Sequence, residues 1–288
     1  MTQLLTQPKP VSSKTKILSG RYNVLHDLGK GATSKVSLAR DQHSGDLVAI
    51  KQLFEAVAEH NAPRMRREFH ALEKFSHPNI VRVIEYADQA KPPYLVLEYV
   101  QGRDLGHWLS KTPPLEQVVG VFAGVADALE HVHQIGLVHR DLKPENIRVD
   151  FHGRPKLLDF GLTKPIENDM TAITRMGALV GTALYMAPEQ CRAGVIDART
   201  DLYSLGALMY TSFTGTPPFL GEDAIRVMRQ HLETEPIRPT KLNANIPAML
   251  EMLILSLLAK NPNERPQSAA YVRDMLRTLV PPDPLTGD

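Results

Sequence analysis

The sequence predicts an α+β protein with two lobes: a small antiparallel β-sheet that carries one helix, followed by a larger, mainly helical part. Short β-branched runs separated by glycine-containing turns fill residues 22–99. From about residue 105 onward, apolar residues recur with the 3.6-residue period of helices. The chain has 288 residues, which at about 150 residues per folding unit suggests two units or one two-lobed domain.

The elements of the small lobe follow from these runs. Strands are predicted at residues 21–29, 34–40, 47–53, 80–86 and 94–99. One helix is predicted between the third and fourth strands, over residues 63–75. The border with the helical part is a short segment at residues 98–102, and clefts between such lobes are common ligand sites.

The large lobe is predicted from helical periodicity. The helix at residues 115–133 has an apolar stripe made of Val118, Val119, Phe122, Val125, Ala126, Leu129 and Val132. Residues 201–213 are apolar on nearly all faces, which indicates a buried helix. Further helices are predicted at residues 224–232, 246–258 and 269–279. We divide the chain into an N-terminal tail (1–20), a small lobe (21–99), a large lobe (100–280) and a C-terminal tail or truncated linker (281–288).

Composition excludes several classes of protein. The 33 basic and 32 acidic side chains give a net charge of +1, which does not favour a nucleic-acid surface. The single cysteine, Cys191, cannot form an internal disulfide or a structural zinc site, so we expect a cytoplasmic protein. No apolar run approaches the ~20 residues of a membrane helix, and we expect no membrane contact within this chain.

Two motifs of the small lobe contain residues that could carry chemistry. The turn between Leu28 and Val36 contains two glycines that would let backbone N–H groups approach a phosphate, although alone it reads more readily as a hairpin turn. Lys51 ends an apolar run, and burying it requires a counter-charge, for which Glu68 is the candidate. The alternatives are an edge strand with Lys51 in solvent and a solvated helix charge at Glu68.

The strongest motif is the polar run between Val138 and Ile147. A carboxylate at Asp141 can accept a hydroxyl proton, Lys143 can neutralise a transferring phosphoryl group, and Asn146 can bind a metal ion. Asp159 follows Asp141 by 18 positions, across a predicted hairpin. Because a hairpin returns the chain, Asn146 and Asp159 are expected to converge on one Mg²⁺.

The order and spacing of these motifs along the chain point to a known family. The glycine-rich turn, the strand lysine, the helical glutamate, the run around Asp141, the Asp-Phe-Gly at Asp159 and an Ala-Pro-Glu ending at Glu189 occur in sequence. This arrangement resembles the eukaryotic-type serine/threonine protein kinases, and the bacterial members most. The resemblance covers roughly residues 22–279. It implies a protein-kinase-like fold with an antiparallel small lobe and a helical large lobe.

The resemblance implies a role for each matched residue. Asp141 would be the catalytic base, Lys143 would stabilise the γ-phosphoryl group, and Asn146 and Asp159 would hold Mg²⁺. Glu68 would position Lys51, and Thr182 would form the floor for the acceptor residue, its alternative being an ordinary turn threonine. The implied nucleotide-binding residues are Leu28, Gly29, Lys30, Gly31, Ala32, Thr33, Ser34, Val36, Ala49, Lys51, Leu97, Glu98, Val100 and Arg148.

Two positions depart from the family pattern. Ser34 stands where a third glycine is usual, and Arg148 stands where an apolar side chain usually lies below the adenine. We expect the Arg148 stem to form this floor while its guanidinium reaches water or stacks on the base. On that interpretation Arg148→Leu keeps activity.

The resemblance also implies regulatory and structural residues. Thr174 and Thr171 are expected autophosphorylation sites, whose phosphate could order the loop against Arg140; the alternative is an unmodified loop. Asp201 would hold the catalytic loop, and Glu189 would pair with Arg265. An apolar column would be formed by stacking of Leu72, Val83, His139 and Phe160, so His139 is expected to be structural.

The expected function is Mg²⁺-dependent transfer of the ATP γ-phosphoryl group to protein serine and threonine hydroxyls, in signalling. The alternatives are a pseudokinase scaffold and a small-molecule phosphotransferase of related fold. The expected partners are ATP and protein substrates, with no nucleic acid and a possible homodimer through the small lobe.

Overall fold

The computed structural model describes residues 16–159 and 180–279. The chain divides into two compact units. The first contains Met1–Arg66 and Val83–Tyr99, and the second contains Arg67–Arg82 and Val100–Asp288. Within the described ranges no helix is both long and apolar enough to cross a bilayer.

The first unit is built on a six-stranded antiparallel sheet. Its strands are β1 (Lys16–Leu18), β2 (Tyr22–Lys30), β3 (Ser34–Asp41), β4 (Leu47–Leu53), β5 (Val83–Ala87) and β6 (Tyr94–Glu98). They lie in the order β1-β2-β3-β4-β6-β5. One face buries Tyr22, Ala39, Val48, Ile50, Tyr94 and Val96, as the alternating pattern requires. The five strands predicted from the sequence are therefore present, and β1 adds a sixth within the last residues of the expected tail.

Helix α1 (Glu55–Leu72) is longer than predicted. The expected start at Pro63 is wrong, because the helix begins eight residues earlier and Pro63 lies inside it. Proline in a helix interior removes one backbone hydrogen bond. The turns before it still form, and the Asn61 side chain donates to the carbonyl of Val57 at 2.9 Å.

The second unit begins with a three-stranded sheet, in the order β7-β8-β9. The strands are β7 (Gly102–Asp104), β8 (Ile147–Asp150) and β9 (Pro155–Leu157), and β8 and β9 form the predicted hairpin. Helix α2 (Leu105–Leu109) is capped by Asp104, which accepts from the backbone of His107. Helix α3 (Leu115–Gln134) buries every residue of the predicted stripe.

The described part of the second unit contains seven further helices. They are α4 (Val180–Ala183), α5 (Pro188–Cys191), α6 (Ala198–Thr214), α7 (Ala224–Glu233), α8 (Pro239–Leu242), α9 (Ala248–Leu257) and α10 (Ala269–Thr278), with 3₁₀ turns at Pro144–Asn146 and Pro262–Glu264. Helix α6 is buried along most of its length, which confirms the prediction for residues 201–213. Asp197 caps its first turn, and Gly215 ends it in the left-handed conformation.

Candidate active site

The glycine-rich turn joins β2 to β3 and is closed by a hydrogen bond from Gly31 N–H to the carbonyl of Ser34 at 2.8 Å. A Cβ built on Gly29 would meet no described atom within 4 Å, and one on Gly31 would meet only that carbonyl, at an ordinary 3.7 Å. Neither glycine has a positive φ. The fold of the described chain therefore does not require glycine at these two positions.

Lys51 lies on an interior strand. β4 pairs with β3 on one side and β6 on the other, so that Lys51 stands opposite Val36 and Leu95. The edge-strand alternative is therefore wrong. On the same strand Ala49 stands opposite Leu97, and both side chains are buried.

Glu68 is buried, with 5% of its surface exposed. The alternative of a solvated helix charge is therefore wrong, because burying a carboxylate is costly unless charged or polar groups compensate it. The apolar positions Met65 and Leu72, on the same helix face, are buried as well. Glu68 thus lies on the buried face of α1, beside these two apolar residues.

The loop before β8 is held by a buried carboxylate. Asp201 of α6 is fully buried and accepts the backbone N–H groups of His139 and Arg140 at 2.8 Å each. This confirms the structural role expected for Asp201. Arg140 has φ 67°, a conformation that non-glycine residues rarely adopt. Strain of this kind persists only where surrounding contacts fix the chain, and it concentrates at functional sites.

Two further residues hold this loop and were not singled out in the sequence. His133 of α3 contributes Nε2, which lies 2.8 Å from Asp201 Oδ2 and donates to it, since a carboxylate only accepts. Gln190 of α5 donates its side-chain amide to the carbonyl of Arg140 at 3.0 Å. Neither could be found from spacing, because His133 and its partner Asp201 are 68 residues apart, and Gln190 and its partner Arg140 are 50 residues apart.

His139 is a structural residue, as expected. Its Nδ1 accepts the N–H of Asp141 at 3.3 Å, so its Nε2 carries the proton and donates to the carbonyl of Leu158 at 3.0 Å. Complete burial lowers the pKa of His139 and keeps the ring neutral. The negative charge of Asp201 acts in the opposite direction, because it raises this pKa, but its effect is the smaller one. The neutral ring therefore joins the loop to the residue after β9 by two hydrogen bonds.

Two predicted catalytic side chains and one predicted metal ligand meet in this loop. Oδ2 of Asp141 lies 3.1 Å from Nζ of Lys143 and 3.2 Å from Nδ2 of Asn146. The same Asn146 amide also donates to the backbone carbonyl of Asp141 at 2.7 Å. The carboxylate is therefore fixed between a cation and an amide donor.

The hairpin brings Asp159 toward Asn146. The backbone N–H of Leu158 donates to the carbonyl of Asn146 at 2.8 Å, and Asp159 is the next residue. Asp159 has φ 37°, a second positive value beside this loop. The convergence expected from the hairpin therefore holds at the level of the backbone.

The expectation for the Arg148 guanidinium is wrong. Its Nε donates to the carbonyl of Val100 at 2.8 Å and its Nη2 to that of Gly102 at 2.6 Å. The guanidinium is thus bound to the backbone of the segment before β7 rather than directed to water. An arginine that finds two carbonyls within reach satisfies its donors there.

The predicted pair of Glu189 and Arg265 is present. The two side chains form a bidentate ion pair, with Nη1–Oε1 and Nη2–Oε2 distances of 2.8 and 2.9 Å. Both residues are buried. Thr200 adds a hydrogen bond to the same carboxylate at 2.8 Å, so α5, α6 and the segment after α9 are joined at one point.

Comparison with known proteins supplies the family. Residues 22–276 match the protein kinase domain. The chain belongs to the protein kinase family. Its fold agrees with the crystal structure of the Mycobacterium tuberculosis PknI kinase domain, with a TM-score of 0.70 at 24% identity over 92% of this chain and 98% of that one. The α+β kinase fold predicted from the sequence is confirmed.

Several curated relatives of this kinase domain are bacterial proteins. "Serine/threonine-protein kinase PknB" of Mycobacterium leprae is 40% identical over 270 residues, covering 90% of this chain and 43% of that protein. "Probable serine/threonine-protein kinase SCO3848" of Streptomyces coelicolor is 37% identical over 265 residues, covering 89% and 39%. The kinase domain therefore spans less than half the length of these relatives.

Some expected residues of the kinase domain lie outside the described ranges. They are the threonines Thr171 and Thr174 and the apolar residue Phe160. Thr182 is described and is half-buried in helix α4. Its expected contact with Asp141 or Lys143 stays a prediction.

Proposed function

We propose that this kinase domain transfers the γ-phosphoryl group of ATP to serine and threonine hydroxyls of proteins. The observation that carries the proposal is the position of the Asp141 carboxylate, 3.1 Å from the Lys143 ammonium and 3.2 Å from the Asn146 amide. A group that orients a hydroxyl for phosphoryl transfer must be fixed, and these two contacts fix it. The names of the bacterial relatives support the choice of serine and threonine.

The reaction assigns a separate task to each side chain. Asp141 orients the acceptor hydroxyl and takes its proton. The hydroxyl oxygen bonds to the γ-phosphorus as the bond to the β–γ bridging oxygen breaks and ADP leaves. Lys143, beside Asp141, is placed to stabilise the negative charge on the transferring group. Since there is little covalent chemistry for the protein to perform, fixed positions and charge account for the catalysis.

Asn146 and Asp159 have the ligand atoms that a magnesium ion prefers. Because Nδ2 of Asn146 donates to Asp141, the amide is oriented with its Oδ1 turned away from that carboxylate. An amide oxygen and a carboxylate are hard oxygen ligands, and Mg²⁺ in such sites takes its other ligands from phosphate and water. Bound there, the ion would neutralise phosphate charge. We propose Mg²⁺ rather than a larger ion on this ligand chemistry.

Residues 29–100 contain the candidate contacts to the nucleotide. The described structure has room for a Cβ at both Gly29 and Gly31. The backbone N–H groups of this turn are proposed to cover the phosphates. Lys51, set on an interior strand, is proposed to contact the α and β phosphates. The buried pair of Ala49 and Leu97 is proposed to line the adenine site, and the backbone at Glu98 and Val100 to bind the adenine edge.

Autophosphorylation is proposed at Thr174 or Thr171. Nε of Arg140 is buried and has no hydrogen-bond partner within residues 16–159 and 180–279. A phosphothreonine carries about −1.5 to −2 charges and would supply an acceptor for such a guanidinium. This supports a role for Arg140 in binding a phosphorylated loop, as in a kinase that responds to a signal.

The test is a radiolabelled ATP assay with Mg²⁺, comparing the wild-type protein with Asp141→Asn. Phosphoserine or phosphothreonine formed on a generic protein substrate by the wild type alone would support the proposal. Mass spectrometry of the kinase itself would locate phosphate on Thr171 or Thr174. Labelling of small alcohols or aminoglycosides without protein labelling, or ATP binding with no transfer, would contradict it.

A further inference from the structure

Arg148 binds the backbone of the segment that leads into β7. Its Nε and Nη2 donate to two carbonyls of that segment, Val100 and Gly102. These are charge-assisted hydrogen bonds from a planar, rigid group, the strongest kind that a neutral backbone oxygen receives. The side chain is only partly exposed. The apolar residue that the family usually has at this position could form neither bond.

The surrounding backbone leaves this segment little freedom. In the β7–β8 pairing, Asp104 stands opposite Arg148 and Gly102 opposite Asp150. A Cβ on Gly102 would overlap the backbone of Val149, so that β7 lies against β8 more closely than any other residue would allow. Val100 precedes β7 and lies outside this pairing. The hydrogen bond from Arg148 Nε to its carbonyl attaches Val100 to β8 as well.

We propose that Arg148 is a positioning residue for the nucleotide, because it fixes the Val100–Gly102 backbone before ATP binds. The inference rests on the proposed function, in which the backbone at Val100 binds the adenine edge. A ligand that binds a segment already fixed does not lose the free energy of ordering it. The arginine therefore favours ATP binding through the backbone and does not need to touch the base.

The proposal predicts an effect on ATP affinity and little effect on the chemical step. Arg148→Met keeps the length of the stem and removes both donors, so the KM for ATP should rise about fivefold to tenfold, the loss expected for one or two net hydrogen bonds. The kcat should fall less than twofold, and the KM for the protein substrate should not change. Arg148→Lys keeps the charge with a single donor group and should restore part of the affinity.

The matched control is Arg154→Met. Arg154 lies on the same β8–β9 hairpin, but its side chain is 71% exposed and pairs with Asp150 of that hairpin. Its removal should leave the KM for ATP unchanged. Amide hydrogen exchange of residues 100–104 in the nucleotide-free protein gives an independent measurement: exchange should be faster in Arg148→Met than in the wild type and unchanged in Arg154→Met.

The outcomes separate this inference from the proposed function. A wild type that transfers phosphate, together with an Arg148→Met variant whose KM for ATP and exchange match the wild type, would overturn the inference alone. A wild type that neither binds ATP nor transfers phosphate would overturn both, even if exchange at residues 100–104 responds to Arg148. If Arg148→Met does not fold, an Arg148→Lys variant with wild-type KM and exchange overturns the inference.

Discussion

Asp201 and Arg140 are 61 residues apart in the sequence, and the carboxylate of the first accepts the backbone N–H of the second at 2.8 Å. The other oxygen of the same carboxylate accepts the N–H of His139, also at 2.8 Å. Two rigid bonds from one buried side chain thus set the backbone immediately before Asp141. The positive φ of Arg140 is maintained by this contact and by the Gln190 bond to its carbonyl.

Asp201→Asn should lower kcat about a hundredfold while ATP binds as before. The amide leaves one acceptor oxygen for two backbone donors, and displacing a catalytic group by about 1 Å is enough for a loss of this size. Steady-state kinetics and titration calorimetry with ATP would measure it. Asp274→Asn, at an exposed position of α10, is the control and should change neither. An Asp201→Asn enzyme with full kcat would contradict the prediction.

Arg265→Ala should destabilise the protein by roughly 3–5 kcal/mol, because it leaves the buried Glu189 carboxylate without its counter-ion. Chemical denaturation would measure the free energy of unfolding. Removing both partners should cost less than the two single losses added together. Arg226→Ala breaks an exposed pair with Glu222 and should cost less than about 1 kcal/mol. A small effect of Arg265→Ala would show that the buried pair does not stabilise the fold.

His231 should make the stability depend on pH. Its burial, with the Lys260 charge as a lesser cause, lowers the pKa of His231 from 6.5 to about 3. The unfolded chain therefore binds a proton below pH 6.5 that the folded chain does not. The stability is complete above pH 6.5 and is lost as the pH falls from 6.5 toward 3, by at most about 1.4 kcal/mol per pH unit.

Denaturation curves between pH 7.5 and 4.5 would test this dependence. His231→Phe should reduce the slope, although it also removes the hydrogen bond between the Tyr203 hydroxyl and Nδ1, which are 2.8 Å apart, and so lowers stability at pH 7. His152→Asn, in the exposed turn between β8 and β9, should keep the wild-type slope. An equal slope in His231→Phe would mean that His231 is protonated in the fold.

Gly29→Ala should raise the KM for ATP without lowering thermal stability. A Cβ at Gly29 meets no described atom within 4 Å, so the fold accommodates it, while a phosphate held close to this backbone would not. Kinetics and thermal melts on the same preparation would measure both. Gly102→Ala provides the contrast, since its Cβ overlaps the backbone of Val149 and should destabilise the protein. Equal ATP kinetics in Gly29→Ala and the wild type would argue against a phosphate at this turn.

The strands and helices that depend on a local sequence pattern were predicted correctly. Strand alternation placed β2, β3 and β4 within a residue or so of their ends, and the apolar stripe placed α3. The start of α1 was missed because Pro63 favours the beginning of a helix but is tolerated inside this one.

Contacts between distant segments were harder to predict. The carbonyls that bind Arg148 belong to residues 46 and 48 positions earlier, and no periodicity marks a backbone oxygen as a partner. The same holds for His133 and Gln190, whose partners Asp201 and Arg140 lie 68 and 50 positions away. The pairs of Asp201 with the loop and of Glu189 with Arg265 could be predicted only because a whole family pattern matched.

The attachment of the loop to Asp201 also has a consequence for biosynthesis. A ribosome makes residues 139–141 some 60 residues before it makes Asp201. A nascent chain that has emerged only as far as β9 contains the catalytic side chains but not the carboxylate that sets their backbone. The order of translation therefore delays catalytic competence until α6 has left the exit tunnel and folded against α3.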